Sequence, residues 1–285
     1  MKIAFNAAYI AKTPHTEAMP ILDAALLCKK CGFDAVDLGG HTEFGSDAER
    51  KLRALGDTLR EAGLTVEQTH APFNRYKDLP IDEFKAEMKQ SFESAVALGA
   101  RTIVLHGDEY KAPSGVVYRE SDAVDYAVEF FSPYVEYALK NGLAVAFENV
   151  FEDGYLGLPR CCSSVDALIE LIDRFGDARV GCCWDFGHAA VAYKGDMLSA
   201  LAKVGSRLIA THVHDNNMKS DQHMPPYLGC IDWAAHARLL SERGYDGAFS
   251  FELVYGAFPT ELKEQALSSA ASTAKHILRL GGYDV

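Results

Sequence analysis

Eight short apolar runs recur along the 285-residue chain, with helix-like stretches between them. Each run is almost continuously apolar until its last residues, which is typical of a strand buried on both faces of a parallel sheet. We therefore predict eight strands, at Ile3–Asn6, Ala35–Leu38, Thr65–His70, Thr102–His106, Ala144–Glu148, Val180–Asp185, Leu208–His214 and Ala248–Leu253.

The stretches between these strands carry apolar residues at helical spacing, and most of them end at a glycine, which commonly stops a helix. We predict helices at Asp47–Ala62, Ile81–Leu98, Ser121–Lys140, Ser163–Phe175, Met197–Val204, Trp233–Arg243 and Thr260–Leu280. The alternation of strands and helices predicts a parallel sheet that is covered by helices.

Eight strand–helix units in about 250 residues have the size of a (β/α)₈ TIM barrel, an α/β fold. Because the chain has no linker, low-complexity tract or break in composition, we expect a single domain over residues 1–285. The alternative is an open doubly wound sheet, which usually carries a glycine-rich phosphate-binding turn after its first strand. That turn here reads Asn6-Ala-Ala-Tyr-Ile, so we favour the barrel.

The chain has 28 basic and 40 acidic side chains, which gives a net charge of −12. An acidic surface repels phosphate backbones, so a small molecule is a better candidate partner than a nucleic acid. No apolar run approaches the ~20 residues of a membrane helix, and the N-terminal segment is too short and too polar for a signal peptide. We therefore expect a cytoplasmic protein that does not associate with membranes.

The seven cysteines lack the spacing of a disulfide framework, which agrees with reduced thiols in the cytoplasm. Cys28 and Cys31 have CxxC spacing, but they lie near the end of an apparent amphipathic helix. That context favours half-buried helix cysteines over a redox or zinc site.

The active site of a TIM barrel lies at the carboxyl ends of its strands. Six successive predicted strands end in histidine or a carboxylate, directly after apolar residues, and a buried charge needs a partner or a metal. These residues are His70, His106, Glu148, Asp185 followed by His188, His214 and Glu252. A set of Glu, Asp, His and Glu suits a divalent cation such as Mn²⁺, Mg²⁺, Co²⁺ or Zn²⁺.

Each of these residues also has a structural alternative. Asp185 could cap the helix that follows it, and Glu148 could pair with a buried arginine, although no arginine lies near a predicted strand end. His212 and His214 point to the same side of their strand. We favour His214 as the metal ligand because it is nearer the strand end, which leaves His212 as a core histidine.

The remaining candidate residues lie either in the long loop after the seventh strand or outside any apolar strand. Asp221 and His223 lie in the long loop after the seventh strand, where they could bind substrate, hold a metal or only shape the loop. The histidines without apolar strand context are predicted to lie on the surface: His15, His41, His236 and His276.

Together the motifs THAPF, VLHG, FEN, WDFGHA, HVHDN, DQH and FEL, in this order at these strand ends, resemble the xylose-isomerase-like barrel superfamily. This superfamily contains sugar and sugar phosphate isomerases and epimerases and, as a more distant relative, endonuclease IV. The resemblance to its ketose 3-epimerases implies one divalent metal held by Glu148, Asp185, His214 and Glu252, with both glutamates as the acid/base pair.

The resemblance also implies that His188 contacts the substrate, and we expect the same of His70, His106, Asp221 and His223. The arginine that these epimerases use in the loop after the seventh strand has no counterpart, unless His223 takes its role. Related barrels form dimers or tetramers, so a homodimer or homotetramer is expected.

The resulting hypothesis is a sugar isomerase or epimerase that removes and returns a proton through a metal-stabilised enediolate. One alternative is a lyase or dehydratase acting on a keto-sugar or inosose at the same metal site. Another is a phosphodiesterase with three zinc ions, as in endonuclease IV, and a third is a sugar-binding barrel without activity. The positions compatible with nine zinc ligands are His70, His106, Glu148, Asp185, His188, His214, Asp221, His223 and Glu252.

Overall fold

The computed structural model describes residues 1–11, 19–40, 42, 45–74, 79–152 and 159–285. His15 and His41 lie outside the described residues. Eight parallel strands pair in chain order, and the last pairs with the first to close a barrel. The strands are β1 (Ile3–Asn6), β2 (Ala35–Asp37), β3 (Thr65–His70), β4 (Thr102–His106), β5 (Ala144–Glu148), β6 (Val180–Asp185), β7 (Leu208–Val213) and β8 (Phe249–Phe251).

Ten α-helices occur in the described parts of the chain, and their apolar faces pack on the outside of the barrel. They are α1 (Ala8–Ala11), α2 (Ile21–Lys30), α3 (Ala48–Glu61), α4 (Ile81–Leu98), α5 (Glu120–Lys140), α6 (Val165–Phe175), α7 (Phe186–Tyr193), α8 (Met197–Val204), α9 (Trp233–Glu242) and α10 (Thr260–Leu280). The predicted (β/α)₈ architecture is confirmed. None of the helices that the described residues form is long and apolar enough to span a bilayer.

Local sequence signals explain several of the helix boundaries. Gly99 and Gly176 follow α4 and α6 with left-handed φ angles of 69° and 63°, a conformation that suits glycine. Helix α6 is capped by Ser164, whose side chain accepts a hydrogen bond from the backbone N–H of Ala167. The sequence prediction missed α7, because its first turn lies inside the WDFGHA motif.

The barrel interior is layered. Val104, Ala146, Cys183 and Ala210 form one buried cluster of small and medium side chains, one from each of four consecutive strands. Side chains alternate along a strand, so the residue two positions further along also faces the interior. In β4 to β7 those residues are His106, Glu148, Asp185 and His212. The layer above a small apolar layer is therefore entirely ionisable.

The first, second and eighth strands follow the same rule. Ala4, Ala35 and Ala248 form a second buried cluster of small side chains. Two residues beyond the first two of these lie Asn6 and Asp37, which are both buried. The interior layer of polar side chains thus extends to β1 and β2, which the sequence prediction had not included.

Candidate metal-binding active site

Strand register sets the height of the candidate ligands along the barrel axis. His106 pairs directly with Glu148 across β4 and β5, and Asp185 pairs directly with His212 across β6 and β7. His214 lies one residue beyond the end of β7, a further step along the axis. The register therefore puts His212, rather than His214, level with Asp185.

Glu148 lies at the centre of four imidazoles. Its Oε2 is 3.1 Å from His70 Nε2 and 3.3 Å from His106 Nε2. Its Oε1 is 3.0 Å from His188 Nδ1 and 3.4 Å from His212 Nδ1. Burial opposes ionisation, yet electrostatic attraction to the imidazoles of His212 and His106 holds the pKa of Glu148 well below its usual range. Glu148 is therefore an anion in this setting.

Asp185 has two separate tasks for its two oxygens. Oδ1 accepts a hydrogen bond from the backbone N–H of His188 at 2.6 Å and so caps α7. Oδ2 is 3.0 Å from His214 Nε2 and 3.9 Å from His212 Nδ1. The side chain of Asn149 clamps the Asp185 backbone, accepting from its N–H at 2.7 Å and donating to its carbonyl at 2.9 Å. The capping role foreseen from the sequence leaves one oxygen facing the site.

Glu252 follows β8 and is held from β1. The Asn6 amide donates from Nδ2 to Glu252 Oε1 at 3.0 Å, while its Oδ1 accepts the backbone N–H of Ala8 at 3.1 Å. Because the Asn6 oxygen is already used, its NH₂ group must face Glu252. Gly39 leaves room for this contact, since a Cβ there would lie 2.5 Å from Asn6 Nδ2.

His212 is fully buried among the carboxylates. Its Nδ1 faces Glu148 and Asp185, and its Nε2 lies 3.7 Å from Glu252 Oε1. Nε2 is also 3.6 Å from Asp37 Oδ2. Within the described residues neither ring nitrogen of His212 has a hydrogen-bond partner.

A second group of ligand-type side chains lies above the first, towards the loop after β7. His214 Nδ1 is 3.6 Å from Asp221 Oδ1, and His223 Nε2 is 3.1 Å from Asp221 Oδ2. The rings of His214 and His223 stack with centroids 4.0 Å apart. His188 Nε2, at 3.5 Å from Asp221 Oδ2, joins this outer group to the Glu148 layer.

Charge pairing in the outer group shifts the pKa values of both Asp221 and His223. Burial opposes the charged form of Asp221, but hydrogen bonds from His188 and His223 lower the pKa of this carboxyl far below its ordinary value. Burial also disfavours the charged form of His223, while Asp221 raises the pKa of that imidazole to about 9. The pair is therefore an ion pair at neutral pH.

A cleft of about 600 Å³ opens over these residues at the carboxyl ends of the strands. Its walls carry the rings of Phe73, which stacks on His106, of Phe151 beside His188, and of Tyr9 beside His223. Arg160 also lines it and forms a buried ion pair with Asp108. Aromatic faces with a few charged groups suit a small polar ligand with C–H faces, such as a sugar.

The donor set fits a divalent cation. Four combinations of three side chains have ligand atoms within 4.8 Å of one another, and together they include every residue of the inner layer except Asn6. Three carboxylates beside one imidazole suit Mn²⁺, Mg²⁺, Co²⁺ or Zn²⁺. The unpartnered nitrogens of His212 are what a ligand histidine would show before a metal is added.

The structure brings together all nine side chains that the sequence marked as site candidates. It separates them into an inner layer around Glu148 and His212 and an outer group around Asp221. Sequence reasoning missed Asn6, Asp37 and Arg160. His236, expected on the surface, is instead buried against Phe186, with its Nδ1 2.7 Å from the carbonyl of Asp232.

Comparison with known proteins agrees with this architecture. A family model described as "Xylose isomerase-like TIM barrel" matches residues 25–276, so the chain belongs to that family. Curated relatives include the uncharacterized protein y4fM of Sinorhizobium fredii, which is 30% identical over 190 residues, or 66% of this chain and 58% of that protein. Another is the uncharacterized protein MJ1311 of Methanocaldococcus jannaschii, 28% identical over 191 residues, 64% of this chain and 62% of the relative. The match thus spans about three fifths of each curated relative.

Solved structures share the fold at low sequence identity. A D-tagatose 3-epimerase-like protein has a TM-score of 0.74 at 21% identity, covering 99% of this chain and 98% of its own. A D-psicose 3-epimerase crystallised in the presence of D-fructose has a TM-score of 0.76 at 14% identity, with coverages of 99% and 100%. The IOLI protein with a bound zinc atom has a TM-score of 0.72 at 19% identity and covers 98% of both chains.

Proposed function

We propose that this protein is a divalent-metal-dependent sugar isomerase or epimerase whose metal ligands are Glu148, Asp185, His212 and Glu252. The observation that carries the proposal is the buried ring of His212, which lies within 4 Å of all three carboxylates without a hydrogen bond to any described residue. His212 takes the place that the sequence had given to His214, because His214 contacts only Asp185 among these carboxylates.

Glu148 and Glu252 are the proposed acid/base pair. They face opposite edges of one imidazole, with Glu148 Oε1 3.4 Å from Nδ1 of His212 and Glu252 Oε1 3.7 Å from Nε2. Because the two glutamates approach this proposed metal ligand from opposite sides, they could reach a substrate bound at the metal from two sides. The bound metal would act as a Lewis acid that polarises a carbonyl and its neighbouring hydroxyl.

The two glutamates, Glu148 and Glu252, would then remove a proton from the substrate and return one. One glutamate takes the proton from the hydroxyl-bearing carbon next to the carbonyl, and the C–H electron pair forms the double bond of an enediolate. The other glutamate, protonated beforehand, returns a proton to the opposite face of that carbon, which inverts its configuration. Return to the former carbonyl carbon gives an isomer instead. Exchange with solvent restores both glutamates.

The remaining histidines are proposed to bind the substrate. His70, His106 and His188 each contact Glu148 and also border the cleft, so a bound sugar would pack against their rings. Asp221 and His223 border the same cleft from the loop after β7. Removal of these side chains should raise KM more than it lowers proton transfer.

The test is exchange of a carbon-bound proton with solvent. The purified protein is stripped of metal with EDTA, reloaded in turn with Mn²⁺, Mg²⁺, Co²⁺ or Zn²⁺, and screened by NMR against ketoses and inososes in D₂O. We expect metal-dependent deuterium incorporation, and an eliminated product would identify a lyase instead. Absence of exchange with every metal and substrate would contradict the proposal.

Matched variants assign the exchange to the two glutamates. Glu148→Gln and Glu252→Gln keep the shape of the side chain but cannot carry a proton, so each should lower turnover by about 10²–10⁴-fold. Glu261→Gln is the control, because Glu261 is exposed in the first turn of α10. Near-normal turnover in both site variants would exclude the two-glutamate mechanism.

A phosphodiesterase with three zinc ions is the second candidate. The observation that favours it is that His70, His106 and Glu148, and separately His214, Asp221 and His223, also have ligand atoms close enough for a metal. The net charge of −12 opposes binding to a DNA backbone. Three zinc ions per chain together with cleavage of abasic DNA would favour this candidate, and one metal per chain with sugar exchange would exclude it.

A further inference from the structure

Asp37 is a fully buried carboxylate that neither the sequence motifs nor the proposed ligand set uses. It ends β2 and, like Asn6 on β1, points into the barrel two residues beyond an interior alanine. Burial of a charge without compensation is costly, so a carboxylate kept here needs polar neighbours. In the described part of the chain, its Oδ1 has no hydrogen-bond partner.

The neighbours of Asp37 lie on both sides of its Oδ2. Gln68, the register partner of Asp37 on β3, donates from Nε2 to this oxygen at 3.4 Å. Nε2 of His212, from β7 on the far side of the barrel, lies 3.6 Å away. Gln68 therefore supports the carboxylate, and the carboxylate faces one specific nitrogen of the proposed metal ligand.

The two nitrogens of His212 have different surroundings. Nδ1 faces Glu148 and Asp185, which are both in the proposed ligand set. Nε2 faces Asp37 and Glu252, and the nearer Glu252 oxygen already accepts a hydrogen bond from Asn6. A neutral imidazole has one bare nitrogen for a metal and one N–H, and the acceptor for that N–H decides which nitrogen is bare.

We propose that Asp37 is the positioning residue of His212: its Oδ2, which lies 3.6 Å from Nε2 in this structure, becomes the acceptor of the Nε2–H when the site is loaded and thereby presents a bare Nδ1 to the metal beside Glu148 and Asp185. This inference rests on the proposed metal site, but it does not depend on the identity of the substrate. A carboxylate behind a ligand histidine fixes the ring and raises its basicity, and its loss commonly weakens metal binding by about 10–100-fold. Asp37 itself does not bind the metal in this arrangement.

The first experiment measures binding of Co²⁺ to the metal-free protein by chelator competition, with the visible absorption spectrum of the bound ion recorded. Asp37→Asn keeps the shape but removes the charge, and Asp37→Leu removes the acceptor. We expect dissociation constants about 10–100-fold higher, with Asp37→Leu the weaker binder, and absorption bands at the wild-type positions.

Ser250→Ala is the matched control. Ser250 is fully buried on β8, pairs in register with His212, and has no hydrogen-bond partner for its hydroxyl in the described residues. Its removal should leave the dissociation constant within about twofold of wild type. Thermal midpoints of the metal-free proteins show whether a variant is simply unfolded, because a purely structural role would lower the midpoint without changing Co²⁺ affinity.

The second experiment needs no change at Asp37. Long-range ¹H–¹⁵N NMR on the zinc-loaded protein, assigned with His212→Gln, reads which nitrogen of His212 carries the proton. We expect Nε2–H and a metal-bound Nδ1. An Nδ1–H, wild-type affinity in both Asp37 variants, or Co²⁺ bands that shift because a ligand is lost would each overturn the inference. Absence of metal binding in the wild type would instead overturn the proposed function as well.

Discussion

The loop after β7 depends on one buried carboxylate, and this dependence gives a quantitative prediction. Asp215 is fully buried, and its two oxygens accept five hydrogen bonds of 2.9–3.2 Å. The donors are the backbone N–H groups of Asn216, Tyr227, Cys230 and Ile231 and the indole N–H of Trp233. These contacts close the loop that carries Asp221 and His223.

Asp215→Asn replaces one acceptor oxygen by an NH₂ group. At least two of the five donors then lose their acceptor, because Oδ2 alone receives the Tyr227 and Trp233 hydrogen bonds. An unsatisfied buried polar group costs about 1–3 kcal/mol, so the free energy of unfolding should fall by roughly 2–6 kcal/mol. The loop should open first, because all but one of the donors lie within it.

The assay is urea denaturation of the metal-free protein, combined with limited proteolysis to locate the opening. Asp232→Asn is the matched control, since Asp232 caps α9 through a single hydrogen bond to the Ala235 N–H at 2.9 Å. That change should cost at most about 1 kcal/mol. If Asp215→Asn destabilises the protein no more than Asp232→Asn does, the carboxylate does not hold the loop.

Two further predictions concern the outer group. Gly187→Ala should displace the ring of His214, because the new Cβ would lie 1.8 Å from His214 Cε1. This change should weaken the contacts of the outer group, while Co²⁺ still binds the inner layer. Unchanged NMR signals of His214 would contradict this prediction. The pKa of His223 is raised from an ordinary 6.5 to about 9 by its pairing with Asp221. This pairing therefore contributes its full stabilisation to the metal-free protein below about pH 6.5, and the stabilisation is lost as the pH rises through 9. Wild type should therefore lose more thermal stability than His223→Gln between pH 6 and pH 10, and parallel losses would contradict it.

The barrel itself was predictable because its strands are short apolar runs that end in polar residues. Five of the eight strands, for example Val180–Asp185, begin and end at the predicted residues. The eighth is shorter than predicted, Phe249–Phe251 instead of Ala248–Leu253, although the Glu252 N–H still donates to the Val213 carbonyl of β7 at 3.1 Å. The apolar character of a run alone does not predict the residue at which strand pairing ends.

The sequence indicates most of the side chains of the candidate site, but it does not indicate which of them lie in the inner layer and which in the outer group. Its position near the strand end favours His214 as the ligand, whereas the register with Asp185 favours His212. The signal was present in the sequence, because Ala210 and His212 are two residues apart, as are Ala35 and Asp37. Because alternate residues of a strand face the same side, counting two residues on from each interior alanine would have indicated that His212 and Asp37 also face the interior.

Arg160 could not be found in this way. It lies twelve residues beyond the end of β5, in a connection without strand periodicity, and its guanidinium pairs with Asp108. Contacts between two such loops depend on the pairing of β4 with β5, which brings together segments that the linear sequence keeps 52 residues apart. Local pattern carries no information about them.

His212 and the three carboxylates Glu148, Asp185 and Glu252 form the proposed metal centre. The most direct measurement compares the Co²⁺ dissociation constants of His212→Gln and His214→Gln, prepared metal-free and verified as folded by circular dichroism. We expect His212→Gln to lose more than about 100-fold in affinity, which exceeds the effect of removing a residue that only supports a ligand, while His214→Gln stays within about tenfold of wild type. The reverse order would contradict this expectation and return the ligand role to His214.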